Sequence, residues 1–250
     1  MFYSVIYKLL GAECSYLNIL KYVTFRSICA FFTSFFIVLL TGNRFILLAK
    51  EHQGVGQPIR DDGPQSHIKD KKGTPTMGGI LIILSVIAGT LLFCDFTNTN
   101  LWLCIAVFFG FGVIGAADDY KKVTKHDYHG ISGKKKFLLQ TVVAITCCYL
   151  FTKFCQFPSA TSIFLPIFKN CQIELWYFFI IWAAFIVIGS SNAVNLTDGL
   201  DGLAMGPVIM SSICFAVISY LVGNTIFAKY LQVQYVPGMS EVCIFLSALV

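Results

Sequence analysis

Seven apolar runs, separated by polar and charged stretches, set the first constraint on this chain. They cover residues 22–41, 76–96, 101–117, 137–152, 175–189 and 203–222, and another starts at residue 242. About 20 apolar residues in helical conformation span a hydrocarbon core of about 30 Å. Backbone amides meet no water there, so every span must be helical. The composition agrees: 56% of residues are hydrophobic and only 12% charged, with a mean hydropathy of +0.74, whereas soluble domains carry about a quarter charged residues. The expected fold is all-α, a polytopic helical membrane domain over residues 1–250 with six transmembrane helices and the start of a seventh. The runs at 101–117 and 175–189 are short for a span, so flanking residues should complete those helices or the helices should stand steeply.

The first run follows Lys8 and Lys21, holds Arg26 near its start and is not followed by a small-residue cleavage pattern, so it reads as a membrane helix rather than a signal peptide. The ten cysteines are scattered, mostly inside apolar runs, without a C-x-x-C pair. They read as small hydrophobes, neither a disulfide frame nor a zinc site.

Charge is distributed unevenly between alternate loops. The loop 42–75 carries Arg44, Lys50, Arg60, Lys69, Lys71 and Lys72, and the loop 118–136 carries six lysines, while the intervening loops carry very few. By the positive-inside rule both basic loops are cytoplasmic, which puts the N-terminus outside and the segment 190–201 on the cytoplasmic side as well. Three polar segments then share one face. The net charge of +5 is concentrated there, where it would meet anionic headgroups and attract a phosphorylated substrate. Topology alone also explains most of that charge. No internal repeat supports an inverted-repeat transporter.

Each of the three segments holds residues that could carry chemistry. In the first, Asp61, Asp62 and His67 precede Lys69, Lys71 and Lys72, and Gly73-Thr74-Pro75-Thr76-Met77-Gly78-Gly79 leads into a membrane helix. Glycines let a backbone approach a phosphate, a helix N-terminus and hydroxyls donate to it, and lysines add charge. An ordinary helix-start turn with basic anchors accounts for the same residues. The second segment opens with Asp118-Asp119 at the end of the third run. Two adjacent anions at a helix C-terminus oppose the macrodipole and each other, so a cation should compensate. Either Asp118 pairs with Lys121 and Asp119 with Lys122 at i,i+3, or a hard cation such as Mg²⁺ bridges them to substrate phosphates.

In the third segment Asn192, Asn195, Asp198 and Asp201 recur every three residues. On a helix they form a polar stripe, costly beside a bilayer unless it serves a site or lines a wet cavity. A helix cap would account for Asp198 or Asp201 but not for all four. Two other patterns are set aside. Gly110-Phe111-Gly112-Val113-Ile114-Gly115 matches G-x-G-x-x-G but lies inside a membrane helix, where close helix packing explains it. His126, Asp127 and His129 have metal-like spacing but sit in a polar loop among lysines.

Taken together, Gly73 to Gly79, the Asp118-Asp119 pair and the stretch 191–204, SNAVNLTDGLDGLA, resemble the phospho-N-acetylmuramoyl-pentapeptide transferases. The last motif is shared with the wider polyprenyl-phosphate N-acetylhexosamine-1-phosphate transferase superfamily. The resemblance runs through essentially the whole chain. It implies transfer of phospho-MurNAc-pentapeptide from UDP-MurNAc-pentapeptide to undecaprenyl phosphate, forming lipid I and UMP with Mg²⁺ required, at the cytoplasmic face of a bacterial inner membrane. It implies Asp118, Asp119 and Asp198 as catalytic residues and Lys71, Thr76, Asn195, Gly199, Leu200 and Asp201 as substrate-binding residues, the last three lining a uracil pocket. Asn195 and Asp198 would hold the metal together with a family aspartate beyond Val250. Between His67 and Gly73 the chain is one residue longer than the family pattern, so Lys69 or Lys72 could replace Lys71. The implied partners are the two substrates and the lipid bilayer, with no nucleic acid, and the resemblance leaves room for a homodimer. The family has about ten membrane helices, so this chain is expected to be an N-terminal fragment. The rivals are a sister enzyme using UDP-GlcNAc and a non-enzymatic ion-coupled transporter.

Overall fold

The computed structural model describes residues 2–7, 9, 15–53, 75–125, 130–155, 157, 159–165, 172–198 and 202–250. A π-helical turn (Phe2–Tyr7) and a 3₁₀ segment (Ser15–Lys21) precede eight α-helices. These are α1 (Val23–Gln53), α2 (Gly78–Phe93), α3 (Thr99–Lys125), α4 (Gly133–Phe154), α5 (Phe178–Thr197), α6 (Met205–Val222), α7 (Thr225–Leu231) and α8 (Ser240–Leu249). The all-α expectation holds. Among the described residues, five helices are long and apolar enough to cross a membrane, namely α1, α3, α4, α5 and α6, while α2 and α8 are shorter apolar helices.

The helices overrun the apolar runs that announce them. Helix α1 continues to Gln53, α3 reaches Lys125 and α5 reaches Thr197. Residues 42–53, 118–125 and 190–197, which read as loop, are therefore helix ends. Apolarity marks the bilayer, whereas a helix ends where its i→i−4 hydrogen bonds end, and polar residues sustain those bonds beyond the hydrocarbon. The short runs at 101–117 and 175–189 are completed by flanking residues, as expected. The 27 residues of α3 extend about 40 Å at about 1.5 Å per residue. One element is new: between α4 and α5, strands β1 (Ser162–Phe164) and β2 (Gln172–Glu174) pair antiparallel, Ile163 opposite Ile173.

Small residues bring the helices together. Helix α2 packs on α1, where a Cβ at Gly89 would stand 2.8 Å from the carbonyl oxygen of Ala30, and Ser34 Oγ donates to the carbonyl of Ala248 on α8 at 2.7 Å. Lipid tails are as apolar as leucine, so helices associate through such close packing rather than through expulsion of water. The main core gathers Ala30, Val86, Leu101, Ile105, Ile244 and Phe245 from α1, α2, α3 and α8. A second, smaller cluster joins α4 and α5 through Ala144, Ala184 and Ile188. Large apolar side chains such as Leu40, Phe185 and Met210 are exposed, the inside-out distribution of a protein bathed in lipid.

At one end of this core Arg26 forms a two-pronged ion pair with Glu241, Nη2 to Oε1 at 2.6 Å and Nη1 to Oε2 at 2.9 Å, with both residues buried. Arg26 also donates to the carbonyl of Phe93 and lies 3.9 Å from the Tyr3 ring centre, while the Asp95 N–H donates to Glu241. The paired fork is the geometry in which a buried charge is best tolerated. Its residues lie at the starts of α1 and α8 and the end of α2, away from the end of α3 that carries the acidic pair.

Candidate active site

Asp118 and Asp119 occupy the last two turns of α3, and adjacency on a helix turns them in different directions. Asp118 is buried, while the Asp119 side chain keeps 31% of its surface exposed. Anions near a helix C-terminus need compensation, and the structure supplies it from three sides of Asp118. Lys122 Nζ lies 2.9 Å from Asp118 Oδ2, Lys136 Nζ at the start of α4 lies 4.0 Å from the same oxygen, and the Ile131 N–H donates to Oδ1 at 2.7 Å. The i,i+3 pairing of Asp118 with Lys121, one of the two readings of this segment, does not form. Lys121 donates instead to the carbonyl of Gly130 at 2.5 Å, and Lys122 serves both carboxylates, 3.6 Å from Asp119 Oδ1. Lys121 thus holds the Gly130 carbonyl, and the next amide, of Ile131, caps Asp118.

This arrangement depends on glycine. Gly130 has a φ of +59°, and a Cβ there would overlap Asp118 Oδ1 and stand 2.9 Å from Lys122 Cε. Only a residue without a side chain fits both the left-handed backbone and the approach to the carboxylate.

Asp119 is engaged from the opposite wall. Thr76 Oγ1 donates to Asp119 Oδ2 at 3.1 Å. Thr76 is itself held by Gln53 at the end of α1, whose side-chain amide donates to the Thr76 carbonyl at 3.0 Å and accepts its N–H at 2.9 Å. The next residue, Met77, starts α2 with a φ of 75°, a strained conformation for a side-chain-bearing residue that costs on the order of 1–3 kcal/mol and persists only where neighbours hold it.

A cavity of about 260 Å³ opens between these walls, and Asp118, Asp119, Lys122, Lys136, Met77 and Asn195 all line it. Gly112 and Gly115 line it too. Two of the three glycines of the α3 pattern serve close helix packing: a Cβ at Gly110 would meet Val143 of α4 at 2.8 Å, and one at Gly112 would overlap Ile83 of α2, whereas one at Gly115 would meet nothing within 4 Å.

The polar stripe of α5 separates into different jobs. Asn192 bonds across to Gln140 of α4 at 3.0 Å and back to the Ile188 carbonyl, an interhelical tie to a buried amide. Asn195 faces the cavity. Asp198 is exposed where α5 ends, its N–H bonded to the Val194 carbonyl, and it is not on the cavity wall formed by the described residues. Lys71, Gly199, Leu200 and Asp201 lie outside the described residues, as do Lys69, Lys72, His126, Asp127 and His129.

Sequence reasoning passed over Gln53, Gly130, Ile131 and Lys136. The glycine at 130, just before a basic helix start, was the one available local signal.

Among the described residues no three His, Cys, Asp or Glu side chains cluster as a ready-made metal cage. Among the described residues the carboxylates of Asp118 and Asp119 and the amide of Asn195 are the oxygen donors on the cavity wall, with Asp119 and Asn195 the least encumbered. That sparse set fits Mg²⁺, which keeps several waters and is held by one or two carboxylates together with substrate phosphates.

The family model for Glycosyl transferase family 4 matches residues 101–239, and the phospho-N-acetylmuramoyl-pentapeptide-transferase signature 1 matches residues 71–83. The chain is 47% identical to the phospho-N-acetylmuramoyl-pentapeptide-transferase of Pelagibacter ubique, over all of this chain and 69% of the relative. The chain belongs to the phospho-N-acetylmuramoyl-pentapeptide-transferase family. The Rickettsia felis member is 47% identical over 93% of the chain and 64% of its own length, and the Phenylobacterium zucineum member 43% identical over 94% and 65%. The chain thus spans about two thirds of the length of these curated transferases. The signature covers Thr76 and, with Met77 and the start of α2, one wall of the cavity, and the Glycosyl transferase family 4 match contains Asp118, Asp119 and Asn195 of the other.

Proposed function

We propose that this chain carries part of the active site of an enzyme that transfers phospho-MurNAc-pentapeptide from UDP-MurNAc-pentapeptide to undecaprenyl phosphate, forming lipid I and UMP. One observation carries the reading: Met77, the Asp118-Asp119 pair and Asn195, from three separate segments, converge with two lysines on a single cavity at the helix ends, and Thr76 donates to Asp119. A transporter would set such groups near the bilayer midplane. The lysine asymmetry supports a cytoplasmic placement of this face in a bacterial inner membrane, where a soluble nucleotide can meet a lipid phosphate.

An oxygen of the lipid phosphate attacks the phosphorus next to the sugar, the new P–O bond forms, and the P–O bond to UMP breaks with UMP taking the electron pair. Such chemistry demands positioning and charge stabilisation more than covalent help. The second pKa of a phosphate monoester is about 6, so the attacking group is already mostly dianionic at neutral pH and no strong base is needed. Asp118, occupied by Lys122, Lys136 and the Ile131 amide, organises the two cations that face the phosphates. Asp119, more open, orients the lipid phosphate or takes its residual proton. Asp119 and Asn195, both on the cavity wall, would hold Mg²⁺, with Asp198, the residue just past the end of α5, as a further oxygen donor; the ion when bound neutralises the pyrophosphate charge. Lys71, Gly199, Leu200 and Asp201 are assigned to the nucleotide.

The test incubates the full-length protein in membranes with undecaprenyl phosphate, Mg²⁺ and either UDP-MurNAc-pentapeptide or UDP-GlcNAc, and measures UMP and lipid product. Turnover of the first donor is the expected result. Turnover of UDP-GlcNAc alone would move the chain to the sister activity, and a trapped phosphoaspartate at Asp118 or Asp119 would replace direct attack by a covalent route.

A further inference from the structure

We propose that Gln53 is a positioning residue for the transfer reaction, acting on Asp119 through Thr76. This rests on Asp119 being catalytic, as argued above. Gln53 ends α1, and its side chain is matched to both backbone groups of Thr76, donating from Nε2 to the carbonyl and accepting the N–H at Oε1, at 3.0 and 2.9 Å. A primary amide carries a donor and an acceptor side by side, so it pairs with a backbone unit as another backbone would. Two bonds fix orientation where one would leave a pivot. The hydroxyl of the residue so held points at Asp119 Oδ2.

The following residue shows why the clamp is needed. Met77 adopts a φ of 75°, and its carbonyl accepts the Ile80 N–H in the first turn of α2. A left-handed residue with a side chain relaxes readily unless its neighbours hold it. Among the described residues, Gln53 is the group that ties the backbone on the N-terminal side of this bend to another helix. The relay therefore runs from α1 through the threonine at the head of α2 to the carboxylate on α3. It sets the rotamer of Asp119, which small displacements would turn away from a phosphate.

Three features distinguish this role from general stabilisation. The pairing needs both halves of the amide, so Gln53→Glu, nearly the same size, keeps the acceptor, loses the donor and sets an oxygen against the Thr76 carbonyl. The effect travels through one hydroxyl, so it should vanish when that hydroxyl is gone. It concerns the reacting end, so it should fall on kcat more than on the KM for either substrate.

The experiment measures kcat and both KM values for UMP release by the full-length enzyme carrying Gln53→Ala, Gln53→Glu, Thr76→Val and the Gln53→Ala/Thr76→Val double substitution, with Asp119→Asn in parallel and thermal unfolding recorded for each. Gln53→Ala and Gln53→Glu should each lower kcat about tenfold with KM within about twofold, and Gln53→Ala should lower kcat no further once Thr76 is Val. A full additional loss in the Thr76→Val background, unchanged kcat in both Gln53 variants, or a loss confined to KM would each overturn the proposal. Undiminished turnover by Asp119→Asn would instead remove the assignment on which it stands, whatever the Gln53 variants do.

Discussion

Lys122 is shared by two carboxylates, its Nζ lying 2.9 Å from Asp118 and 3.6 Å from Asp119. One ammonium placed one turn beyond two adjacent acids reduces their mutual repulsion and still faces the cavity. Replacing it by methionine keeps the stem and removes the charge. Under the proposed reaction, Lys122→Met should lower UMP release about a hundredfold, the scale seen when one preorganised donor to a developing charge is lost. Lys125→Met, further along the same helix and exposed, should stay within about twofold. Equal losses in the two variants would show that general basicity of this face, not the shared pairing, is what matters.

Gly130 sets up a paired comparison with Gly133. A Cβ at Gly130 meets Asp118 and Lys122 on a left-handed backbone, whereas a Cβ at Gly133 meets nothing within 4 Å. Gly130→Ala should reduce turnover at least tenfold, and Gly133→Ala should leave it within about twofold, in steady-state assays at equal membrane content. A full-rate Gly130→Ala would mean that the amide cap on Asp118 is dispensable.

The reach of sequence reasoning stopped at contacts between segments. Asp118-Asp119 and the Asn195-Asp198 spacing are local patterns, visible without a fold. The partner of Asp118 was not: at i,i+3 Lys121 looked suitable, but it turns toward the Gly130 carbonyl and Lys122 takes the acid. Lys136 reaches the site only because α4 packs beside α3, and Gln53 finds Thr76 across 23 residues. Helix ends were misplaced for a different reason, since hydropathy records where lipid is, not where backbone hydrogen bonding stops. The hairpin was missed because three-residue strands are too short to display alternation.

The sidedness inferred from lysines can be checked by labelling. In a cysteine-free background of the full-length protein, cysteines at Lys125 and Thr197 should be shielded from an impermeant thiol reagent applied to intact cells, and one at Thr97 should react. All three positions are exposed, so accessibility reports membrane side rather than burial. Reaction at Lys125 with protection at Thr97 would invert the topology.

The Arg26–Glu241 pair should behave as buried charges do. Removing either partner strands the other, so Arg26→Leu or Glu241→Leu should each cost about 3–5 kcal/mol, while the double leucine variant should recover most of that loss. Thermal unfolding in detergent reads the difference. Additive losses in the double variant would show that the surrounding bonds to Phe93 and Asp95, rather than the pairing, set the stability.

The same pair has a history within the life of each molecule. Arg26 emerges from the ribosome 215 residues ahead of its carboxylate, roughly 10–40 s at about 5–20 residues per second. Throughout that interval the first long helix is already being threaded into lipid with an uncompensated cation three residues from its start. Its flexible stem lets the head stay at the water boundary until that partner is made. The ion pair that joins the first long helix to α8 can form only once Glu241 has been made, so the last contact of the early helix is timed by synthesis of the late one.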